Sequence, residues 1–189
     1  SLYYWTMELA NSPRAIWLLG TVSFIEAIFF PIPPDVLLIP MILANINRAW
    51  IYALVATITS VAGGLVGYAI GYLAYAQVAE PLLLSLGKQS AMNLFSNSIN
   101  ENGFLIVLTA GISPIPFKVV SIMSGFTQMP IFVFLVSALL GRSARFFVVA
   151  TLLRFYGIAI KNFIETYLGW MFLIFVILFI VGGIGIDFL

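Results

Sequence analysis

A proline-broken, charged segment occurs twice in this chain. Pro31-Ile32-Pro33-Pro34-Asp35-Val36 comes back 83 positions later as Pro114-Ile115-Pro116-Phe117-Lys118-Val119, and five of the nine positions in 31–39 recur in 114–122. Each copy sets helix-breaking prolines and one full charge, Asp35 in the first and Lys118 in the second, inside a long apolar stretch. Proline lacks a backbone donor and cannot sit in a helix interior without a kink or a break. Non-helical backbone and ionised side chains within a bilayer need protein or a water-filled cavity to satisfy them. Two matched breaks of this kind predict a functional centre buried between two related units.

Composition fixes the solvent. With 62% hydrophobic and 8% charged residues over 189 positions, the chain lacks the polar surface that a soluble domain of this size needs. It reads as an all-α polytopic membrane protein. A net charge of +1 from scattered Lys and Arg does not build the basic face that a nucleic-acid partner requires. The absence of Cys and His removes thiolate chemistry, imidazole catalysis and His-Cys metal sites, so no metal or cofactor is expected.

In chain order, residues 1–12, with Tyr3, Tyr4 and Trp5, read as an interfacial lead-in before a helix start at Ser12 and Pro13. Residues 15–47 hold two apolar arms around the first break, each too short for the ~30 Å hydrocarbon core, which predicts a re-entrant hairpin. Its tip is marked by Pro31, Pro33 and Pro34. Residues 49–76 form the first crossing helix, with Gly63, Gly64, Gly67 and Gly71 permitting close helix approach. Residues 77–102 are the most polar stretch and predict a loop and a helix lying on the bilayer surface. Residues 103–129 repeat the hairpin, its tip marked by Pro114, Pro116 and Gly125; 130–153 and 168–186 form two further crossing helices. The last serves packing or an oligomer contact.

The positive-inside rule orients this layout. Arg14, Arg48, Arg154 and Lys161 share one face and Lys88 alone stands on the other, so the first face is cytoplasmic. The two hairpin-plus-helix units then enter from opposite sides, an inverted-repeat plan in which the site sits at the midplane where broken helices meet.

Five ionisable groups lie at depth on this plan: Glu26, Asp35, Lys118, Arg142 and Arg145. Arg142 and Arg145 are one turn apart on the same helix face and point inward. Two acids against three bases leave one positive charge in excess, which an anionic ligand can balance. Guanidinium forks suit a phosphate, and the arms starting after each break would aim backbone N–H groups at it. Asp35 and Lys118, equivalent and opposite in sign, are expected to approach each other in at least one conformation. The structural alternative is that Glu26 pairs with Arg142 or Arg145 to hold the fold.

Glu26, Pro31 and Asp35, the run from Ser113 to Lys118 with Gly125 after it, and Gly141-Arg142-Ser143-Ala144-Arg145-Phe146 together resemble the DedA superfamily, the VTT or SNARE-associated Golgi protein domain, most closely its YqaA-like branch. The resemblance covers residues 22–156 and implies a lipid transporter of a bacterial inner membrane, linked to undecaprenyl phosphate or phospholipid translocation and to proton-dependent membrane homeostasis. It implies acidic roles for Glu26 and Asp35 and puts Lys118 where many members carry arginine. Gly111 stands where those members have another arginine, a charge that Arg142 and Arg145 then supply.

The function expected is therefore translocation of an anionic, phosphate-bearing lipid and not an enzymatic reaction. Lys118, Arg142 and Arg145 bind the head group, and Glu26 or Asp35 takes up a coupling proton. Its partners are membrane lipids and protons. The competing readings are a membrane-embedded lipid-phosphate enzyme, for which no nucleophile, base and orienter set is visible, and an assembly factor whose charges form a closed network.

Overall fold

The computed structural model describes residues 14–28, 33–113 and 116–186, and beyond 157 only the course of the backbone. The lead-in at 1–12 and the tip residues Pro31 and Pro114 lie outside the described residues. All regular structure among the described residues is helical. Two short helices, α1 (Ala15–Glu26) and α2 (Asp35–Ala44), precede a long one, α3 (Ala49–Ala74), which a π-helical turn (Tyr75–Ala79) joins to α4 (Glu80–Ser85). An isolated helix α5 (Gln89–Glu101) follows. The short-short-long order then repeats with α6 (Gly103–Ile112), α7 (Phe117–Phe126) and α8 (Ile131–Ile186).

The helix limits follow from local chemistry. Pro34 caps α2, and Asp35 puts a negative charge in its first turn, where the helix dipole favours one. Pro40 sits inside α2 and leaves one backbone carbonyl without its usual donor. At the end of α6, Ser113 turns to an extended conformation (φ −76°, ψ 166°), the geometry that a following proline imposes. The chain leaves α7 through Gln128 at φ 55°, with Gln128 N–H donating to the Gly125 carbonyl and Met129 N–H to that of Ser124. This is a Schellman stop with glutamine where glycine is usual. Gly87, at φ 63°, stops α4 in the same way.

Residue pairs give the directions of the helices. Gly20 approaches Val55 and Thr59 while Ala27 approaches Gly63, so α1 runs parallel to α3. Gly64 meets Phe117 and Gly71 meets Ile122 and Phe126, so α7 also runs parallel to α3. Trp50 of α3 stacks with Phe147 of α8, and Tyr68 meets Phe134 with the rings tilted, which makes α3 and α8 antiparallel. Asp35 meets Arg145 and Leu43 meets Gly157, so α2 follows α8; Gly103 meets Met129 and Gly111 meets Gly141, so α6 follows it as well. Each first arm thus packs along the long helix of its own unit, and each second arm along the long helix of the other.

Close approach needs glycine at these crossings. A Cβ at Gly71 would overlap the carbonyl oxygen of Ile122, and one at Gly125 that of Tyr68. Backbone therefore rests on backbone between α3 and α7, the packing that small residues allow where no hydrophobic force drives helices together. Gly125 lies near the far end of α7 and not at the hairpin tip expected for it.

The surface is the apolar part. Ile51, Leu54, Ile58, Ile70 and Leu73 of α3 and Phe132, Leu139, Leu140, Val148 and Leu152 of α8 are exposed, whereas Ser23, Thr57, Ser60, Ser121, Ser124 and Ser137 are buried. Many hydroxyls are satisfied within their own helix, such as Thr57 Oγ1 donating to the Ala53 carbonyl at 2.7 Å and Thr151 Oγ1 to that of Phe147 at 2.6 Å. The segments Ile46–Ser85 and Ile131–Gly157 are long and apolar enough to cross a membrane.

Three limits differ from expectation. The first long helical segment does not stop at 76, because the π-turn absorbs the step into the Glu80-Pro81 pair and helix continues to Ser85. Within 77–102, only Gln89–Glu101 is a separate polar helix. The two crossings expected at 130–153 and 168–186 are one continuous helix, α8, since the polar residues between them include no proline to interrupt it.

Candidate functional site

The ends of both short-helix pairs converge on Arg142 and Arg145 of α8. Arg142 is eleven residues into the apolar span Ile131–Gly157 of α8 and Ser60 eleven into α3, two antiparallel stretches of similar length, so the two meet near the middle of each. Arg142 Nε donates to Ser60 Oγ at 2.6 Å, and its Nη2 makes an ion pair with Glu26 Oε2, at the end of α1, at 2.7 Å. The guanidinium carbon lies 4.6 Å from the ring centroid of Phe117, the first residue of α7, and 5.3 Å from that of Phe146, one turn along α8. Its side chain is 2% exposed. Burying an arginine so completely requires both the opposite charge and the hydrogen bonds it receives here.

Arg145 is placed differently. Its Nη2 reaches Asp35 Oδ2, in the first turn of α2, at 2.5 Å, and its Nη1 donates to the Ser113 carbonyl after α6 at 2.9 Å. Both side chains of this ion pair are 20% exposed. The second carboxylate oxygen of Asp35 is buried and accepts no hydrogen bond among the described residues. Arg145 also borders a groove of about 560 Å³ whose other walls are Ile112 of α6 and Ala144, Val148 and Val149 of α8. A second groove of about 690 Å³, between α1 and α3, is lined by Trp17, Phe24, Ile58 and other largely apolar residues, away from the charges.

The two arginines thus hold four helix ends, those of α1, α2, α6 and α7. Each cation meets a helix C-terminal end, Arg142 through Glu26 and Arg145 through the Ser113 carbonyl, where the dipole favours positive charge. Lys118 stands half-buried in the first turn of α7, beside the Phe117 ring that stacks on Arg142. Farther along α8, Arg154 Nη1 donates to the Ile46 carbonyl at 3.2 Å and ties the exit of α2 to that helix.

Of the residues singled out from sequence, Glu26, Asp35, Arg142 and Arg145 come together as two ion pairs. The partner of Asp35 is Arg145 and not Lys118. The expected open donors at the starts of the second arms are partly engaged: Val36 and Leu37 N–H donate to the Pro33 and Pro34 carbonyls, and Val119 N–H to that of Pro116. Pro33, Pro34 and Pro116 do mark the entries to α2 and α7. Sequence reasoning missed Ser60, Phe117 and Phe146. Ser60 was findable from its depth in α3, which equals that of Arg142 in α8, and Phe146 from its position four residues beyond Arg142.

Comparison with known proteins gives the family. The VTT domain family matches residues 32–155. An uncharacterized protein of Haemophilus influenzae is 42% identical over 157 residues, 83% of this chain and 81% of that protein. One of Histophilus somni is 38% identical over 174 residues, 90% of each. An uncharacterized protein of Methanocaldococcus jannaschii is 32% identical over 124 residues, 66% of this chain and 74% of that protein. No solved structure matches the chain. The match spans α2, α3, the second pair of short helices and α8 as far as residue 155, with both arginines, and the chain belongs to the VTT-domain (DedA) family of membrane proteins.

Proposed function

We propose that this protein translocates an anionic, phosphate-bearing lipid across the bilayer, with Arg145 taking the head group and Asp35 exchanging Arg145 for a proton. The observation that carries this reading is the Arg145–Asp35 pair at the border of an apolar groove between α6 and α8. An acyl or prenyl chain lies in such a groove without dehydrating anything polar, while its phosphate meets the guanidinium fork. The orphaned Asp35 oxygen supports the exchange, because a carboxylate with no second partner among the described residues depends on Arg145 and needs a proton in its place when the cation turns to a ligand.

In the same reading, α1–α2 and α6–α7 are re-entrant hairpins, and the two units form an inverted repeat about the arginines. The antiparallel α3 and α8, each accompanied by the first arm of its own unit, support it. Lys118, at the start of α7, adds positive charge near the entry of the second hairpin, and Glu26 stays with Arg142 through the cycle. The membrane concerned is the bacterial inner membrane. Purified protein in liposomes containing labelled anionic lipid, with and without a pH gradient, tests this reading. Protein-dependent flipping that the gradient alters and Arg145→Ala abolishes supports it; lipid that stays in its leaflet, or is chemically converted, refutes it.

A further inference from the structure

Helix α5 leaves its largest apolar side chains, Leu94 and Phe95, outward and only partly covers the rest of its apolar face. No residue of α5 is fully buried. The half-buried side that leans on the body is mixed, Met92 and Ile99 with polar anchors at the two ends: Gln89 Nε2 donates to Tyr75 OH at 2.9 Å, Asn100 Nδ2 donates to the Thr127 carbonyl at 2.8 Å, and Thr127 Oγ1 donates back to Asn100 Oδ1 at 3.0 Å. Ala91, Leu94, Phe95 and Ser98, spaced i, i+3, i+4 and i+7, form the outer face, with Leu94 70% and Phe95 45% exposed. A soluble amphipathic helix does the reverse and buries its apolar stripe against the core.

What covers this face is indicated by its neighbours. The exposed apolar surface continues from Val78 through Leu82, Leu84 and Leu86 on one side of α5 to Phe104 and Leu105 on the other. Helix α5 therefore interrupts a lipid-facing surface at the end of the long span Ile46–Ser85. Its polar residues are also unusual. Gln89, Ser90, Asn93, Ser96, Asn97, Ser98 and Asn100 are all uncharged, and Glu101, at the last position, is its one ionisable residue. Helices held to membranes by anionic lipids carry Lys and Arg along the polar face, whereas here the driving force is limited to apolar insertion.

We propose that the Leu94–Phe95 face of α5 docks into the interfacial zone of the bilayer, filling gaps between loosely packed lipids without selecting for anionic head groups. The bonds from Gln89 and Asn100 hold the helix at the right roll angle, tethering its two ends to the π-turn after α3 and to the exit of α7. Insertion depth then depends on lipid packing and not on membrane charge. This inference does not rest on the transported substrate.

These 189 residues contain no cysteine, which allows a direct test on the whole chain. Leu94→Cys and Asn93→Cys, each carrying an environment-sensitive fluorophore, are reconstituted into three vesicle types: tightly packed zwitterionic, loosely packed zwitterionic, and loosely packed with added anionic lipid. The expected result is a blue-shifted Leu94 label, quenched several-fold more by a shallow lipid-borne quencher in loose than in tight vesicles and unchanged by anionic lipid, while the Asn93 label stays aqueous. A Leu94 label that remains aqueous in all vesicles overturns the proposal. So does a shift that appears only with anionic lipid, or one that persists in detergent and grows with protein concentration, which would mean that a second copy covers the face.

Discussion

Glu26→Gln removes the charge that neutralises Arg142 while keeping a side chain of nearly the same shape. Arg142 is 2% exposed and its Nη2 lies 2.7 Å from the carboxylate, so the variant leaves a guanidinium without a counter-ion in the least exposed part of the site. Breaking a buried pair from one side costs ~3–5 kcal/mol, whereas replacing both partners with apolar groups is often neutral. Glu26→Gln is therefore expected to lower the thermal midpoint of the detergent-purified protein sharply. Glu26→Leu combined with Arg142→Met is expected to recover most of that loss. Ser60→Ala, which strips the acceptor from Arg142 Nε at 2.6 Å, should cost ~1–3 kcal/mol by leaving a buried donor unsatisfied. The assay is melting followed by size-exclusion chromatography, which reports folded protein independently of transport. A Glu26→Gln protein that melts like the parent, or a double variant as unstable as the sum of its single changes, would refute the assignment of this pair to holding the fold.

Arg145→Ala is expected to stay folded and lose lipid translocation, because its pair with Asp35 is more exposed than that of Arg142 with Glu26 and its loss should cost less than the ~3–5 kcal/mol of breaking a fully buried pair; Arg145→Lys, lacking the fork, should recover a fraction of the rate in the liposome assay. Gly71→Ala and Gly125→Ala each drive a methyl group into a carbonyl oxygen across the α3–α7 contact, so both should yield little monodisperse protein on chromatography, while Gly87→Ala, whose Cβ meets open space, should lose only the ~1 kcal/mol of left-handed strain. Single cysteines at Asn47 and Ser90 should label from opposite sides of intact cells with an impermeant reagent, and labelling of both from one side would contradict the crossing by α3. Amide hydrogen exchange in detergent should be faster in α2 than in α7, and equal rates would count against the difference in how the two are held.

The matched proline breaks located the site, because a helix that stops within an apolar stretch must have its end satisfied by something, and here Arg142 and Arg145 do so. Glu26 and Asp35 were legible for the same reason: a carboxylate flanking such a break needs a cation, and α8 offers two at mid-depth. Which acid meets which arginine was not legible, since that depends on the roll of α8 and on α2 running along it, a long-range contact without a local signature. The approach of Asp35 to Lys118 is expected in at least one conformation, and in this one Asp35 bonds Arg145. Equivalence in a repeat puts two residues at corresponding positions, but Asp35 lies one side chain away from α8 and bonds there first. The stop at Gln128 was hidden because left-handed backbone is ordinarily announced by glycine. The π-turn at 75–79 was hidden as well, since Pro81 reads as an interruption and the helix absorbs it.

The two hairpin-like units resemble each other in sequence but are not held in the same way, and this difference bears on the proposed cycle. Second arm α7 has its backbone pressed against α3 at Gly71 and Gly125, with Ser121 against Gly67. Second arm α2 meets α8 through side chains: Leu38, Met41, Ile42 and Leu43 pack near Phe146, Ala150 and Leu153, with Arg145 and Arg154 bonding its two ends. Separating backbones in contact requires the whole α3–α7 interface to yield, whereas releasing α2 at its tip requires one partly exposed ion pair to open. Arg142, one turn before Arg145, keeps α1 and α3 in place through Glu26 and Ser60 while that happens. A phosphate that captures Arg145 would thus free the start of α2 and the end of α6 together, because one guanidinium bonds both Asp35 and the Ser113 carbonyl. In the proposed cycle, loading at a single residue would then loosen one short helix of each pair against a fixed remainder, as the proposed passage of a head group would need.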